Sequence, residues 1–429
     1  MKKKLLIPAI ALCGAAAAAA GVWASGLLAP PRDPGPVEGI TLMTATDLHY
    51  LSPSLTDHGP YFQSTVENAD GKMTAYSGEL LEAFVRQAAE EAPGALILSG
   101  DLTFNGEAQS HRELAAKLRQ VEEAGIPVLV MPGNHDLENP MAVSFEGEGI
   151  WITESVTGEE FAEIYGAFGY EEALSRDRAS LSYTYELAPN LRVLMVDANT
   201  GDYPGSAAPR TLSWVKSQLR DAARDGAWVV AVCHQNLLQH SSLFSGGYRL
   251  GNAGELLALF EEAPVICCLS GHIHIQHIAQ SDGGLREIVT SALAVSPNQY
   301  GLLELTGGDA SYRTRPVDVA AWAAGEGLRD EALLEFSQTS RQFFWDTSRR
   351  QGAAEAGTGE EAQAMAAFFA DVNTAYFAGR TDAVPWDEGL YQAWRERDSF
   401  IPYYLESIAA DGFRDQTAAA FTFWREETP

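Results

Sequence analysis

The chain has 429 residues, of which 46% are hydrophobic and 10% aromatic, and this composition excludes global disorder. Acidic side chains outnumber basic ones by 58 to 29, so the formal net charge is −29. This charge argues against binding to duplex nucleic acid or to an anionic membrane surface, because both need clustered lysine and arginine.

The N-terminal residues have the pattern of an export signal. Lysines at positions 2–4 precede an uncharged, Ala-rich stretch that ends at Pro31, and small residues at Val22 and Ala24 predict cleavage after Ala24. Because about 20 apolar residues also span a bilayer, a membrane anchor is the alternative. We expect residues 1–30 to form a signal peptide or anchor and residues 31–39 a Pro/Gly-rich linker. The protein would be extracytoplasmic, either secreted or anchored to the membrane.

Strand-like and helical segments then alternate as far as about Thr314. The predicted strands are Ile40–Thr46, Ala95–Ser99, Pro127–Met131, Ser182–Glu186, Arg192–Asp197, Trp228–Cys233 and Pro264–Leu269, and the predicted helices are Gly78–Glu91, Glu107–Ala124 and Thr211–Arg224. Continuous apolar runs such as Val229–Val232 are typical of strands that are buried on both faces. The alternation predicts a layered α/β fold.

Residues 318–429 differ from the preceding part of the chain. They carry little strand signal, and aromatic residues recur at helical spacing, as at Phe368, Phe369, Tyr403 and Tyr404. We interpret these aromatics as core contacts between helices, because burial alone explains the spacing. The pattern predicts four or five helices in an all-α C-terminal extension.

Five short motifs follow the predicted strands. They are Asp47-Leu48-His49, Gly100-Asp101, Gly133-Asn134-His135-Asp136, His234 and Gly271-His272-Ile273-His274. Each lies just beyond the carboxyl end of a strand, where distant segments of an open α/β sheet converge. Gly-Asn-His-Asp alone is expected by chance in roughly one such chain per thousand, so the joint occurrence is a specific signal.

The residue types in these motifs suit two adjacent metal ions. A carboxylate can bridge two divalent ions about 3.5–4 Å apart. Imidazoles suit Zn and Fe, while carboxylate and amide oxygens admit Mn or Mg. On an extended segment, Asp47 and His49 would face the same way, and so would His272 and His274. Bound cations would also admit an anionic substrate despite the net charge.

The order of the motifs resembles the calcineurin-like metallophosphoesterase superfamily, over about Ile40 to Thr314. The loop Gly100–Gly106 looks most like the bacterial cyclic-nucleotide phosphodiesterase-like branch. The resemblance implies a two-sheet β-sandwich flanked by helices over residues 40–317, followed by the helical region 318–429. It implies one metal held by Asp47, His49, Asp101 and His274, and a second held by Asp101, Asn134, His234 and His272. It makes His135 a catalytic residue that contacts the phosphate and protonates the leaving oxygen.

The implied function is that of an exported phosphoesterase with two divalent or transition metal ions (Mn, Fe or Zn). Such an enzyme would hydrolyse phosphodiester or phosphomonoester bonds of small molecules by metal-activated hydroxide. No duplex nucleic acid and no protein partner is indicated, and the N-terminal segment is a candidate membrane tether. Two alternatives remain open: a non-catalytic metal-binding scaffold of the same fold, and a pyrophosphatase or lipid-linked phosphate hydrolase.

Other polar residues carry weaker signals. We interpret the lone histidines His111 and His240 as core or surface residues. His58 lies in a long polar loop after the first motif, where substrate contact and a solvated position are both open, and His277 is equally open. Asp197 follows a strand and is interpreted as a turn cap.

Overall fold

The computed structural model describes residues 31–67, 70–201 and 204–426. The predicted signal or anchor at residues 1–30 lies outside them. The strands are β1 (Val37–Ala45), β2 (Ala95–Leu98), β3 (Val128–Val130), β4 (Val143–Glu146), β5 (Gly149–Ile152), β6 (Ser175–Arg176), β7 (Tyr183–Ala188), β8 (Leu191–Val196), β9 (Trp228–Cys233), β10 (Val265–Ser270), β11 (His277–Gln280), β12 (Arg286–Val289), β13 (Gln299–Gly307), β14 (Asp309–Pro316) and β15 (Ala418–Thr422).

Twelve α-helices accompany these strands in the described part of the chain. They are α1 (Pro60–Glu67), α2 (Ser77–Glu91), α3 (Ala108–Glu123), α4 (Gly158–Ile164), α5 (Pro209–Asp225), α6 (Ala253–Glu261), α7 (Val319–Gly325), α8 (Glu331–Leu334), α9 (Phe336–Ala356), α10 (Glu360–Phe377), α11 (Glu388–Arg395) and α12 (Ile401–Asp411). No helix among the described residues combines the length and the apolar character needed to cross a bilayer.

Two mixed sheets form the centre of the fold. The six-stranded sheet has the order β15-β14-β13-β1-β2-β3, and the seven-stranded sheet has the order β11-β12-β10-β9-β8-β7-β6. In the first sheet β1, β2 and β3 are parallel, and in the second β8, β9, β10 and β12 are parallel. The parallel strands therefore direct their carboxyl ends, and the motifs that follow them, toward one edge of each sheet.

The inner faces of the two sheets share one hydrophobic core. It joins Leu96 of β2 and Leu303 of β13 to Val230 of β9 and Leu269 of β10, all fully buried. The Tyr183 hydroxyl also donates across the sandwich to the Val130 carbonyl at 3.0 Å. The predicted two-sheet sandwich flanked by helices is confirmed.

Helices cover the outer faces of the sandwich. Leu219 of α5 and Phe260 of α6 pack on the outer side of the seven-stranded sheet. The limits of α5 follow from local chemistry. Pro209 begins it, where its fixed φ suits a first turn, and Gly226 ends it in the left-handed conformation with φ 73°. The packing of α5 and α6 on the seven-stranded sheet explains why the outward residues of β9 and β10 are apolar as well.

The C-terminal region is helical, as predicted, with six helices from α7 to α12 instead of four or five. Phe369 and Trp394 lie in the core of this region, which also contains Ile273 and Ile275 from the loop after β10. One element was missed: β15 pairs antiparallel with β14 and returns the chain to the first sheet. The sequence of β15, Ala-Ala-Ala-Phe-Thr, gives little strand signal by itself, because alanine has a low β-propensity. The division of the chain at residue 318 stays a prediction.

The segment before the first sheet differs from the predicted linker at 31–39. Strand β1 already begins at Val37. The backbone nitrogen of Arg32 donates to the Ala223 carbonyl at 2.9 Å, and Asn190 donates to the carbonyls of Pro34 and Pro36. The described part of this segment therefore lies along the sandwich and does not hold the domain at a distance.

Candidate active site

The five motifs meet at one edge of the sandwich. The nitrogen of Asp47 donates to the Gly100 carbonyl at 3.0 Å, and the nitrogen of Gly271 donates to the His234 carbonyl at 3.1 Å. These bonds join neighbouring strand ends within each sheet. A bond between the two sheets follows, from the His272 nitrogen to Asp47 Oδ2 at 2.9 Å. Residues up to 225 positions apart are thereby assembled in one site.

Most of the predicted ligands have an unusual backbone conformation. Positive φ values occur at Asp47 (52°), His49 (44°), Asp101 (50°), His272 (70°) and His274 (64°). The sequence interpretation assumed extended Asp-x-His and His-x-His segments, and this assumption is wrong, because left-handed residues turn each loop sharply at the strand end. Such residues cost on the order of 1–3 kcal/mol each and persist where surrounding structure compensates, typically at functional sites.

One group of side chains consists of Asp47, His49, Asp101 and His274, whose candidate ligand atoms all lie within 4.8 Å of one another. The Nε2 atoms of His49 and His274 are 3.3 Å apart. The Nε2 of His274 is 3.3 Å from Asp47 Oδ1, and the Nε2 of His49 is 3.9 Å from Asp101 Oδ2. Two imidazole nitrogens and two carboxylates therefore point at a common position.

A second group consists of Asp101, His234 and His272. The Nε2 of His234 lies 3.3 Å from Asp101 Oδ2 and 3.1 Å from Asn134 Oδ1. Its Nδ1 donates to the Ser99 carbonyl at 2.9 Å, which fixes the ring with Nε2 toward the site. Asp101 belongs to both groups, as a bridging carboxylate would.

The residues present fit divalent cations on two independent observations. Asp47 Oδ1 is buried, and no described donor makes a well-directed hydrogen bond to it; His274 Nε2 lies 3.3 Å away but is itself a candidate ligand. An unsatisfied buried acceptor costs about 1–3 kcal/mol. Glycine also stands where the backbone passes closest to the carboxylates: a Cβ on Gly271 would lie 2.6 Å from Asp47 Oδ2. A bound cation would provide a partner for Asp47 Oδ1. Because Gly271 has no Cβ, its backbone can approach the Asp47 carboxylate without a clash.

The charge state of the site also favours cation binding. Burial and the charge of His234 lower the pKa of His272 to about 4, so this ligand is neutral near pH 7. Burial opposes ionisation of Asp47, yet the charges of His274 and His234 hold its pKa well below the usual range. For His234, burial lowers the pKa, but the Asp101 carboxylate outweighs burial and raises it to about 9. The proton on His234 offsets the Asp101 charge, and a metal ion would replace that proton.

His135 lies beside both groups, and its side chain is 32% exposed. Its backbone nitrogen donates to Asp101 Oδ1 at 2.8 Å. Its Nδ1 lies 2.9 Å from Asn105 Oδ1 and 3.2 Å from the Phe104 carbonyl. Because both partners accept, Nδ1 carries a proton, and Nε2 faces the site at 4.0 Å from Asp101 Oδ2. The sequence interpretation did not select Asn105, although its place in the Gly100–Gly106 loop could have drawn attention to it.

The remaining candidates lie outside the site. Asp136 accepts hydrogen bonds from the nitrogens of Gly133, Leu102 and Thr103 at 2.8–3.0 Å, and so ties two motif loops together as a cap. The ring of His58 packs edge-on against Phe62, with centroids 5.2 Å apart.

The lone histidines are core residues, as interpreted for His111 and His240. His111 is buried against Tyr165 Oη at 2.9 Å. His240 and His277 face each other through Nδ1 atoms 2.9 Å apart, away from the metal groups. Asp197 is buried and accepts from the nitrogens of Leu181 and Asn199, in agreement with a turn cap.

A cavity of about 760 Å³ opens beside the two ligand groups. One wall carries Asp101, Asn134, His135 and His274. The facing wall comes from α9, α10, α12 and the 244–248 loop, and its aromatic side chains are Phe244, Tyr248, Phe344, Phe369, Tyr376, Phe377, Phe400 and Tyr404. The C-terminal helices therefore complete the pocket. Phe369 and Tyr404 are buried, as the sequence analysis interpreted them, but they also line the cavity, whereas Tyr403 is exposed and does not belong to the core.

The sequence model of the calcineurin-like phosphoesterase family matches residues 40–276, which contain every motif described above. The chain belongs to this family. Both groups of candidate metal ligands lie within the matched residues. The predicted resemblance is confirmed. A second sequence model, described as the C-terminal domain of cyclic nucleotide phosphodiesterase, matches residues 318–415.

Individual relatives are distant. A curated protein of Rhodococcus erythropolis (strain PR4 / NBRC 100887), described as "Probable cyclic nucleotide phosphodiesterase", is 25% identical over 209 residues, or 48% of this chain. The match spans 58% of that relative's length. Similar solved structures include a dimetal phosphatase from Danio rerio (13% identity, TM-score 0.48, 65% of this chain and 96% of that one) and a purple acid phosphatase from Lupinus luteus (13%, 0.45, 67% and 53%).

Proposed function

We propose that this phosphoesterase is exported and hydrolyses phosphodiesters of nucleotide size with two transition metal ions. The observation that carries the proposal is the pair of ligand groups sharing Asp101, opposite an aromatic wall large enough for an organic substituent. Asp47, His49, Asp101 and His274 would hold one ion, and Asp101, Asn134, His234 and His272 the other. The nitrogen and oxygen donors suit Mn, Fe or Zn.

The side chains have separate roles in the proposed reaction. Two bound ions would supply Lewis acidity to the phosphate and lower the pKa of a water molecule to near neutrality. Asn105 holds the His135 ring through Nδ1, so that Nε2 faces the cavity. In the protonated form, His135 Nε2 would donate to the leaving oxygen as the phosphoester bond breaks. The aromatic wall limits water around the reacting group and orients the organic part of the substrate.

The cavity supports a substrate larger than phosphate itself. A volume of about 760 Å³ falls within the range of roughly 300–1,000 Å³ that is usual for sites of organic ligands. Planar nucleobases stack on aromatic side chains, and each stacked base contributes about 1–3 kcal/mol to binding. The Rhodococcus relative, described as a probable cyclic nucleotide phosphodiesterase, and the match to the C-terminal domain of cyclic nucleotide phosphodiesterase support a nucleotide diester as substrate.

Export is the second part of the proposal. It is supported by the lysines at positions 2–4 and the uncharged stretch that follows them. An exported enzyme would act on nucleotide or phosphodiester nutrients and would not control a cytoplasmic messenger. Cell fractionation with Val22 and Ala24 replaced by bulky residues tests this. A cleaved signal predicts accumulation of an uncleaved, membrane-associated form, and identical distribution with the wild type would refute cleavage at this position.

A substrate comparison tests the proposed reaction. Purified protein should contain about two transition metal equivalents, and chelation should abolish hydrolysis. Rates are measured on nitrophenyl phosphate, bis-nitrophenyl phosphate, cyclic nucleotides and pyrophosphate. We expect the highest kcat/KM on a nucleotide diester.

Two results would contradict the proposal. A preference for pyrophosphate would favour the pyrophosphatase alternative, and metal binding without hydrolysis of any ester would favour the scaffold alternative. Asn134→Ala should lose one metal equivalent and most activity. Asn190→Ala is the matched control, since Asn190 bonds to carbonyls at the other end of the sandwich.

A further inference from the structure

The cavity beside the ligand groups has an uneven charge distribution. Only three lysines occur beyond the N-terminal three, and one of them, Lys72, lines this cavity. Among the described residues that line it, Lys72 is the only lysine or arginine, whereas Asp70, Asp101 and Glu355 are acidic. A phosphoester that enters the cavity therefore meets one fixed side-chain cation besides the metal ions.

The backbone of Lys72 is connected by hydrogen bonds to the loop that carries Asp47. Lys72 forms an antiparallel bridge with Val295, and the Met73 nitrogen donates to the Ala294 carbonyl at 2.7 Å. The Ala294 nitrogen in turn donates to the Asp47 carbonyl at 3.2 Å. The position of Lys72 relative to Asp47 is consequently set by a short, continuous chain of backbone hydrogen bonds.

The side chain of Lys72 is only 11% exposed, and its ammonium lies 2.8 Å from Asp70 Oδ2. The Asp70 side chain is 52% exposed, and an ion pair with a partner this exposed contributes little to stability, because solvent screens the attraction. This small stabilisation from the ion pair does not explain why the Lys72 ammonium is held in a cavity, where it loses part of its hydration. An ammonium has three donors, and among the described residues Asp70 is the one hydrogen-bond acceptor of the Lys72 ammonium, so it can also donate to a ligand.

We propose that Lys72 binds a non-bridging phosphate oxygen of the substrate and that Asp70 is its partner when the cavity holds no substrate. The inference rests on the proposed function for the identity of the ligand. Lysine binds phosphate as a point charge, with charge-assisted hydrogen bonds that are stronger than neutral ones. The anionic phosphate competes with Asp70 for the ammonium, and Asp70 is exposed enough to be hydrated when it is released.

Neutralising Lys72 tests this role. Lys72→Met should lower kcat/KM for the preferred phosphoester by roughly tenfold to hundredfold, mainly through KM, and weaken binding of orthophosphate by a similar factor in calorimetry with the metal-loaded protein. Metal content should stay at the wild-type level, and Lys72→Arg should restore most of the loss. Lys117→Met is the matched control, because Lys117 also pairs with a carboxylate, Glu82, but lies on α3 outside the cavity.

Asp70→Asn separates phosphate binding from a purely structural ion pair. If Lys72 binds phosphate, this variant keeps the ammonium in the cavity, and its orthophosphate affinity should far exceed that of Lys72→Met. Equal losses in the two variants, or wild-type orthophosphate affinity in Lys72→Met, would overturn the inference. Lys72→Gln serves as the neutral variant if Lys72→Met does not fold. The phosphate titration remains decisive even if no phosphoester is hydrolysed, so failure of the proposed function is a separate result.

Discussion

Gly133 precedes Asn134 and lies against the carboxylate that both ligand groups share. A Cβ at this position would overlap Oδ1 and the backbone nitrogen of Asp101 and would lie 2.8 Å from Asp101 Cγ. Gly133 does not have a positive φ, so alanine is compatible with its backbone conformation. Gly133→Ala therefore probes the space around Asp101 and not the conformational freedom of glycine.

The size of the effect follows from the overlap. Non-bonded carbons prefer separations of about 3.5–4.0 Å, so Asp101 Cγ and the new methyl group must separate by roughly 0.7 Å or more. The shift falls on a carboxylate whose two oxygens already contact the His135 nitrogen at 2.8 Å and His234 Nε2 at 3.3 Å. Because a misplacement of about 1 Å in a catalytic site can cost about 10²-fold, we expect a rate loss of at least that order with reduced metal content.

Metal analysis and initial rates on a nitrophenyl ester measure this effect in one preparation. Gly254→Ala is the control, since a Cβ on Gly254 in α6 meets nothing within 4 Å and alanine should stabilise that helix by about 0.5–1 kcal/mol. Wild-type activity and two metal equivalents in Gly133→Ala would refute the assignment of Asp101 as the shared ligand. Loss of folding in circular dichroism would show that the overlap is relieved by unfolding and not by a local shift.

Three further predictions follow from individual contacts. His135→Ala should lower kcat by about 10²–10⁴-fold with unchanged metal content, if the ring has the proposed role of protonating the leaving oxygen; loss of metal would instead make it a ligand. Trp394 is fully buried and donates Nε1–H to the Met365 carbonyl at 3.0 Å, so Trp394→Ala should cost about 3–5 kcal/mol in urea unfolding, and an unchanged midpoint would contradict its core role. Burial raises the pKa of Glu107 to about 7 in the folded state, so stability falls as pH rises from about 4.5 through 7. Glu107→Gln should then be more stable than the wild type at pH 8, by on the order of 2–3 kcal/mol, and equal to it at pH 4; the same difference at both pH values would exclude ionisation as the cause.

Much of the site was predictable because each candidate ligand lies in a short motif that can be recognised from its own few residues. Each motif follows an apolar strand directly, as Asp101 follows Ala95–Leu98 and His234 follows Trp228–Cys233. Buried parallel strands are recognisable from continuous apolar runs, and their carboxyl ends share one edge. Residue type and position after a strand were therefore sufficient to select the residues that the structure brings together.

Tertiary structure decided the features that depend on contacts between distant segments. Lys72 has no visible role in the sequence, and only its bridge to Val295 places it in the wall of the cavity. Asn105 likewise has no visible role until His135 lies 2.9 Å from it. Strand β15 forms only because β14 offers an edge.

The amino-acid sequence by itself determined the residue types of the two candidate ligand groups, because each motif directly follows an apolar strand. The left-handed backbone at most of the ligands and the aromatic wall of the cavity were decided by the tertiary structure. The physical reason is that backbone strain and cavity shape depend on the packing of segments such as those of His49 and His274, 225 residues apart, which no local pattern encodes.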